Sequence, residues 1–597
     1  MRPLRPPQLA WLAWLAWLMS CWCTVASAQV TADGKADSRK LPVLAPRVSY
    51  EQQRTDRLLA EKKLEQELSP EGKRIAFVMV ERDDVFVADE VWPIWLNWFH
   101  GRTRDSVVRR ELLFVDGEPF QMARIEETMR NLRGMGIFAL VRITAVKTDK
   151  PDEVGVVVHT RDLWSLRLEQ DFNYSSQLNS LLVRITERNF LGRNKNVSAD
   201  YTLLPKNYML TESYYARRVW GSSLALKQSA GLIFNRSSNR NEGKLATLSV
   251  GQPLYYLAQR YSWLSSYAYD NRVYRALRGN DVLTFPEPRD DEARRVYRGK
   301  THRASLLGYR RFGEQTKQTF GAGWDVRTLR VNTNRGSRVP EELREEFLRR
   351  VLPQERTDSG PVFNYDFFLP RWVTFVNLAT YGQSENVRVG PAATVEMRVP
   401  LRGFGSRRNA LVASGALGLT LAPRGALIDA RAGWVGRYQG EQLIDRRTTL
   451  LLRGASPVFS IFRCVARLSL ELRQRDSQNT LVTLGSDNGL RGYESQALFG
   501  YGANRALANF ELRTLPIEWQ ALHLGGVLFY DVGSVYQHAS DMQAYHAVGV
   551  GVRLLFPQFN RMPFSFDGGM SFDPGFRFVP AITGGQNVAI TAAEDAE

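Results

Sequence analysis

At 597 residues the chain exceeds one ordinary domain, so two or more folding units are expected. A hydrophobic content of 44%, a mean hydropathy of −0.30 and the lack of an apolar run of about 20 residues beyond the N-terminal stretch exclude a helical membrane span. They do not exclude a transmembrane β-barrel, in which only alternate residues face lipid, and the 11% aromatic content with 46 glycines and 22 tyrosines leans that way.

Residues 1–28 read as an export signal. Arg2 and Arg5 form the basic region, residues 9–22 the apolar region, and Ala26-Ser27-Ala28 the small-residue cleavage site. A lipoprotein reading through Leu18-Met19-Ser20-Cys21 is disfavoured by Met19 and by the better site downstream. Cys21 and Cys23 leave with the signal, so Cys464 is alone in the mature chain and no internal disulfide is expected. The formal charge is +17, or +15 without Arg2 and Arg5. In an exported chain this excess points to anionic lipid head groups, acidic polypeptides or a polar lumen and not to nucleic acid, with a solvated basic surface as the plain alternative.

Residues 29–72 read as a flexible polar leader followed by a charged helix from Tyr50 to Leu68. Its apolar seam is thin (Leu58, Leu64 and Leu68), and Pro70 ends it. Residues 73–162 pattern as a compact β-α-α-β-β unit, with strands near 74–81, 138–146 and 153–159. An amphipathic helix presents Ile125, Met129 and Leu132 and stops at Gly134 and Gly136. Residues 108–114 suit helix or strand. Trp92, Trp95 and Trp98 recur every third residue, as on a short helix packed on a core or lying at a membrane surface, core being the commoner case.

From 163 to about 590 short alternating segments separated by turns replace this pattern. Counting them gives up to about twenty strands. Polar inserts at 278–300 and 338–360 are too hydrophilic for a membrane interior and suit extracellular loops; Asp290, Asp291 and Glu292 there read as a solvated cluster. Late in the chain the alternation is regular. Leu528, Tyr530 and Val532 oppose Phe529, Asp531 and Gly533, and Val548, Val550, Val552 and Leu554 oppose Gly549, Gly551 and Arg553. Phe564 and Phe566 oppose Ser565 and Asp567, so charge keeps to one face. Between two such runs lies residues 485–494, where Arg491 sits between Leu490 and Gly492. The glycines Gly485, Gly489, Gly492 and Gly500 suit a loop folded back against the protein.

Two sets of residues carry a resemblance. Arg110-Glu111-Leu112, Gly117, the Asn131-Leu132 helix end, Gly136, Phe138 and the strand closing before Arg161-Asp162 resemble a POTRA domain, the periplasmic module of the BamA/TamA outer-membrane superfamily. The run 187–194, Glu-Arg-Asn-Phe-Leu-Gly-Arg-Asn, resembles that family's early periplasmic turn. Arg491-Gly492-Tyr493 is similar to the family's R-G-F/Y loop motif, and Phe529-Tyr-Asp531-Val-Gly533 to its F-x-D-x-G strand motif.

The resemblance implies an all-β transmembrane barrel of about 16 antiparallel strands over 163–597, preceded by one small α+β POTRA-like domain. It also implies that Arg491 reaches into the lumen to pair with Asp531, a structural role in place of chemistry, with an ordinary stabilising salt bridge as the plain alternative. The POTRA edge would bind extended polypeptides by strand addition, a rigid spacer being the other reading. The family's last strand ordinarily ends on an aromatic. Here the run Phe576-Arg-Phe-Val-Pro580 is followed by an acidic tail to Glu597, and Pro580 weakens the edge.

The function so implied is insertion or export of polypeptides at the bacterial outer membrane. Its partners are unfolded outer-membrane or secreted polypeptides, outer-membrane lipids and periplasmic accessory proteins. A passive or gated pore, or a surface antigen, is the alternative. The six histidines are scattered, and no His-x-x-x-His, mature Cys-x-x-Cys or G-x-S-x-G motif occurs, so no enzyme, cofactor, nucleotide or metal is expected.

Overall fold

The computed structural model describes residues 50–86, 94–174, 178–278, 281–286, 293–333, 339–519, 522–559, 562–572, 578–584 and 588. The export signal, the polar leader, Trp92, the acidic cluster at 290–292, Phe576 and the tail to Glu597 lie outside these residues.

The N-terminal part is a three-stranded sheet. The strand Glu153–Asp162 runs centrally, parallel to Arg74–Asp83 on one side and antiparallel to Phe138–Lys147 on the other. The helices Asp105–Arg109 and Met122–Arg133 cover one face, packing Val107, Val108, Ile125 and Leu132 on Val141, Val154, Val156 and Val158. The helix Tyr50–Glu61 covers the other face, with Leu59 against Val146 and Val157. A central strand enclosed on both faces needs a near-continuous valine run, and this one has it.

Two sequence expectations change here. The first helix ends at Glu61, not Leu68, because the chain turns at Lys63 (φ 55°) and Leu68 stands 84% exposed. Residues 65–67 instead run along the sheet edge. Gln66 bridges Val146, the Glu67 N–H donates to the Ala145 carbonyl (2.9 Å), and the Lys147 N–H donates to that of Glu65 (2.9 Å). The second change concerns the tryptophans. Ile94–Phe99 is a short 3-10 helix whose Trp95 and Trp98 are 52% and 86% exposed. They are not core; Phe114, Phe120, Val107 and Val108 already fill that layer.

The remaining wall strands close into one antiparallel barrel, running from Leu166–Tyr174 to Phe578–Gly584. Among the described residues the wall has twenty-two segments, two pairs of which are single strands interrupted by proline. Arg356–Phe368 and Arg371–Val376 flank Leu369-Pro370 and pair in one running register with Ser384–Arg398. Asn504–Thr514 and Ile517–Trp519 flank Leu515-Pro516 and both pair with Leu522–Tyr536, the register shifting by one residue across the break. Proline lacks the ladder N–H, so each break falls where pairing lapses. The wall therefore holds twenty strands, an even number, in place of the expected sixteen.

Leu528, Val548, Val550, Val552 and Phe566 face outward, whereas Asp531, Arg553, Ser565 and Asp567 are buried in the lumen. At the end opposite the N-terminal domain, the helix Glu341–Arg350 and neighbouring loops gather Phe285, Ala293, Val331, Phe347, Val351 and Leu352 into an apolar cap. Asn479, from the loop that carries Arg491, ties into this cap through the Leu352 carbonyl (2.9 Å).

Candidate functional site

The loop between Phe462–Gln474 and Asn504–Thr514 turns inward. Leu484, Leu490 and Tyr493 leave solvent by packing on Leu507 and Ala547 of the wall. This apolar anchoring sets Arg491, 3% exposed, in the middle of the lumen. Its Nε and Nη2 donate to the two oxygens of Asp531 (2.7 and 2.9 Å), a bidentate fork, and its backbone N–H adds a third bond to Asp531 (3.2 Å). Nη1 donates to Glu511 (2.6 Å) and Asp567 (3.0 Å), and the guanidinium lies 3.7 Å above the Phe529 ring.

The backbone comes close enough for this only through glycine. Gly492 has φ +86°, and a Cβ there would stand 3.0 Å from the Ala547 methyl. A Cβ on Gly569 of the facing strand would come within 2.7 Å of the Gly492 nitrogen. A side chain at Gly533 would strike Leu484 and Leu490, which explains the glycine two residues past Asp531. The Tyr493 hydroxyl donates to the His546 carbonyl (3.1 Å) and closes the loop tip on the wall.

Sequence reasoning named Arg491, Gly492, Tyr493, Phe529, Asp531 and Gly533 but missed the other four charged members of the network. Glu511 also pairs with Arg513 (2.7 Å), and Asp567 with Arg553, so three arginines face three carboxylates. Asn509 donates to Asp531 (2.8 Å) and to the Gly489 carbonyl (2.7 Å). Alternation puts Arg553 and Asp567 on the same inner face as Asp531. Their meeting depends on register, Asn509 opposite Asp531 and Gly551 opposite Asp567, which alternation does not encode. Burial works against the Arg491 charge, but Asp531, Glu511 and Asp567 outweigh it and hold the guanidinium protonated, above its ordinary range.

Arg513 reaches one further partner. Its Nη2 donates to the carbonyl of Val588 (2.7 Å), beyond the last strand. The Val588 side chain is buried with Phe375, Leu378, Val387, Leu427, Ala455 and Val465 near the barrel end that faces the small domain.

That domain docks across the same end. In the turn 188–194, Asn189 donates to Thr103 (2.8 Å) and Gly101 (3.3 Å), and the Arg104 N–H donates to the Gly192 carbonyl (2.9 Å). Glu111 accepts from Arg218 (2.7 Å) and pairs with Arg217 (3.3 Å). Arg130 of the helix Met122–Arg133 stacks on Trp372 of the wall at 4.2 Å. A cavity of about 660 Å³ remains between them, lined by Glu127, Arg130, Trp372, Arg388 and Arg431.

A lipid-compatible exterior, a charged lumen closed by its own loop and an α+β domain at one mouth define an outer-membrane β-barrel with a docking module. Residues 421–573 match the Omp85 superfamily domain and residues 99–161 the POTRA, or surface antigen variable number repeat. The chain thus carries an Omp85 superfamily domain and, before it, a POTRA repeat. Among solved structures it is similar to CdiB from Escherichia coli (11% identity, 98% of this chain and 100% of that chain, TM-score 0.42). It is also similar to BamA from Haemophilus ducreyi lacking POTRA domains 1-3 (14% identity, 86% and 85%, TM-score 0.34). A comparison with curated proteins finds no match.

Removing Arg491 leaves three buried carboxylates facing only two arginines. Arg491→Ala is expected to destabilise the loop by about 3–5 kcal/mol, read as protease cleavage within 485–503 of a barrel that still runs as a folded band on unheated gels. Arg491→Lys should not rescue it, because an ammonium cannot form the fork to Asp531 while reaching Glu511.

Burial works against the Glu111 carboxylate, but the hydrogen bond from Arg218 and the charge of Arg217 hold its pKa below the ordinary 4.5. A depressed folded pKa contributes docking stability that is complete above 4.5 and lost as pH falls through the lower, folded value. The distance between spin labels at Asp116 and Ser222 should therefore broaden only in acid below that point. In Glu111→Gln it should be independent of pH over the same window.

Proposed function

We propose that the protein assembles or translocates other polypeptides at the outer membrane, with the POTRA-like sheet receiving an extended client and the barrel seam admitting its strands. The observation that carries this reading is the seam. Among the described residues, Leu166–Tyr174 and Phe578–Gly584 pair at two positions, Asn173 with Ala581 and Phe172 with Ile582. Their other neighbours pair at length, from Leu166–Glu187 to Tyr174–Leu178 and from Phe564–Gly584 to Met570–Phe578. Pro580 lies in this last strand and donates nothing across it. A closed wall with one thin join offers backbone groups to an incoming strand at little cost. No nucleotide is needed, because client folding into lipid supplies the free energy.

The lumen weighs against a passive pore. Arg491 and its loop cross it, Val588 packs at the POTRA end, and loops cap the far end. In this reading Arg491–Asp531 holds the closed arrangement from which the seam works.

The sheet edge adds a constraint. Residues 65–67 already pair with the strand Phe138–Lys147 at Ala145 and Lys147, so a client strand competes with the protein's own segment there. Ion pairs Lys147–Glu65 (2.9 Å) and Lys73–Glu67 (2.8 Å) hold that segment in place.

Depletion of the protein, followed by quantification of the other folded outer-membrane barrels, tests the proposal. A selective loss is expected; an unchanged set with altered conductance would favour a pore. Separately, Gln66 and Val146 are antiparallel partners, so a Gln66→Cys/Val146→Cys disulfide in a Cys464→Ser background locks the edge. Photo-crosslinking of a denatured barrel client to this domain should fall on oxidation and return with reductant. Unchanged cross-linking would remove the edge from the mechanism.

A further inference from the structure

The tryptophan-bearing turn has no part in the lumen site or in the edge. The helix Ile94–Phe99 is fixed to the domain from its polar side. Asn97 accepts from the Phe86 N–H (3.1 Å) and donates to the Phe86 carbonyl (2.7 Å). His100, just after it, contacts Asp162 (3.0 Å) and Ser165 (3.1 Å). With its polar groups so engaged, the helix presents Ile94, Trp95 and Trp98 outward, 53%, 52% and 86% exposed.

Where this happens is set by the barrel. Ser165 directly precedes the first wall strand, whose Leu166 and Leu168 face lipid at 47% and 51% exposure. Phe86 packs on Trp164 and Phe559 at ring separations of 5.6 and 5.8 Å, and the Trp164 N–H donates to the Gln558 carbonyl. Phe559 lies in the turn joining Tyr545–Leu555 to Phe564–Ser571, at the POTRA end of the wall and two strands or fewer from the seam. Two other turns at this end carry exposed apolar groups, Leu191 and Trp220 at 61% and 95%, and so does a strand end there, Trp519 at 67%. The apolar face of 94–98 thus continues the lipid-facing rim of the barrel.

We infer that Ile94, Trp95 and Trp98 insert into the periplasmic leaflet of the outer membrane beside the seam, anchoring the POTRA-like domain to lipid as well as to the barrel. Tryptophan suits this level, with an apolar ring body and one N–H for the head-group layer. A rim of aromatics at the barrel's edge is where such rings belong. The consequence is a fixed POTRA orientation at the seam and a leaflet disturbed by two indoles where client strands enter. The inference rests on the barrel spanning the membrane.

The test uses the full chain in phospholipid vesicles, with a nitrobenzoxadiazole probe on Ile94→Cys in the Cys464→Ser background, both tryptophans retained. Lipids carrying a doxyl group near the glycerol backbone should quench the probe more strongly than lipids carrying it near the chain end. Its emission should lie to the blue of the same probe on Asp116→Cys, an exposed site on the domain. Trp95→Ser/Trp98→Ser should abolish both differences while the barrel keeps its folded band on unheated gels. A probe at position 94 that behaves as at 116, in a barrel with that folded band, overturns the anchor. Loss of the band would instead count against the membrane-spanning fold itself.

Discussion

The desolvation of one positive charge organises the lumen. A guanidinium taken out of water is tolerable only if its donors are met, and Arg491 meets a fork from Asp531, Glu511, Asp567 and an aromatic face. That demand dictates much of the neighbouring sequence. Glycines are needed where backbone meets backbone, leucines where the loop leaves solvent, and Arg513 and Arg553 where the carboxylates would otherwise repel one another. Such a network is all-or-none in character, since removing any member strands the others in a poorly screened interior. It therefore suits a part with two discrete positions better than one that yields by degrees.

A second layer of organisation lies at the POTRA mouth. The docking contacts draw on three consecutive turns of the wall and on Trp372 far around the ring, so the small domain spans the opening instead of hanging from one strand. Much of this interface is polar or charged, as in contacts that open and close without unfolding either side. The sheet's exposed edges are also managed: residues 117–120 shield one beside Arg74–Ile75, and residues 65–67 shield part of the other.

Period-two alternation made the barrel legible, because each strand must satisfy lipid on one side and a polar lumen on the other. It placed Asp531, Arg553 and Asp567 inward before any pairing was known. The resemblance in Arg491-Gly492-Tyr493 and Phe529-x-Asp531-x-Gly533 supplied the one long-range pair that alternation lacks. The remainder depended on register: Glu511 and Asp567 join the network only because Gly551 faces Asp567 and Asn509 faces Asp531. The family's usual strand number misled where direct counting did not. Leu58, Leu64 and Leu68 looked like a helical seam, but three leucines cannot reveal that residues 65–67 have a better use as a strand. The tryptophan spacing identified a helix without saying which medium its face would meet.

The carbonyl of Val588 gives the chain's end a mechanical meaning. Val588 follows the last wall strand by four residues and is held by Arg513, whose other partner, Glu511, is held by Arg491. The last strand and the lumen loop are thus two ends of one short tether. Peeling the strand outward from the seam draws on the loop, and releasing the loop slackens the strand. A barrel wired this way reports the state of its interior at its own edge.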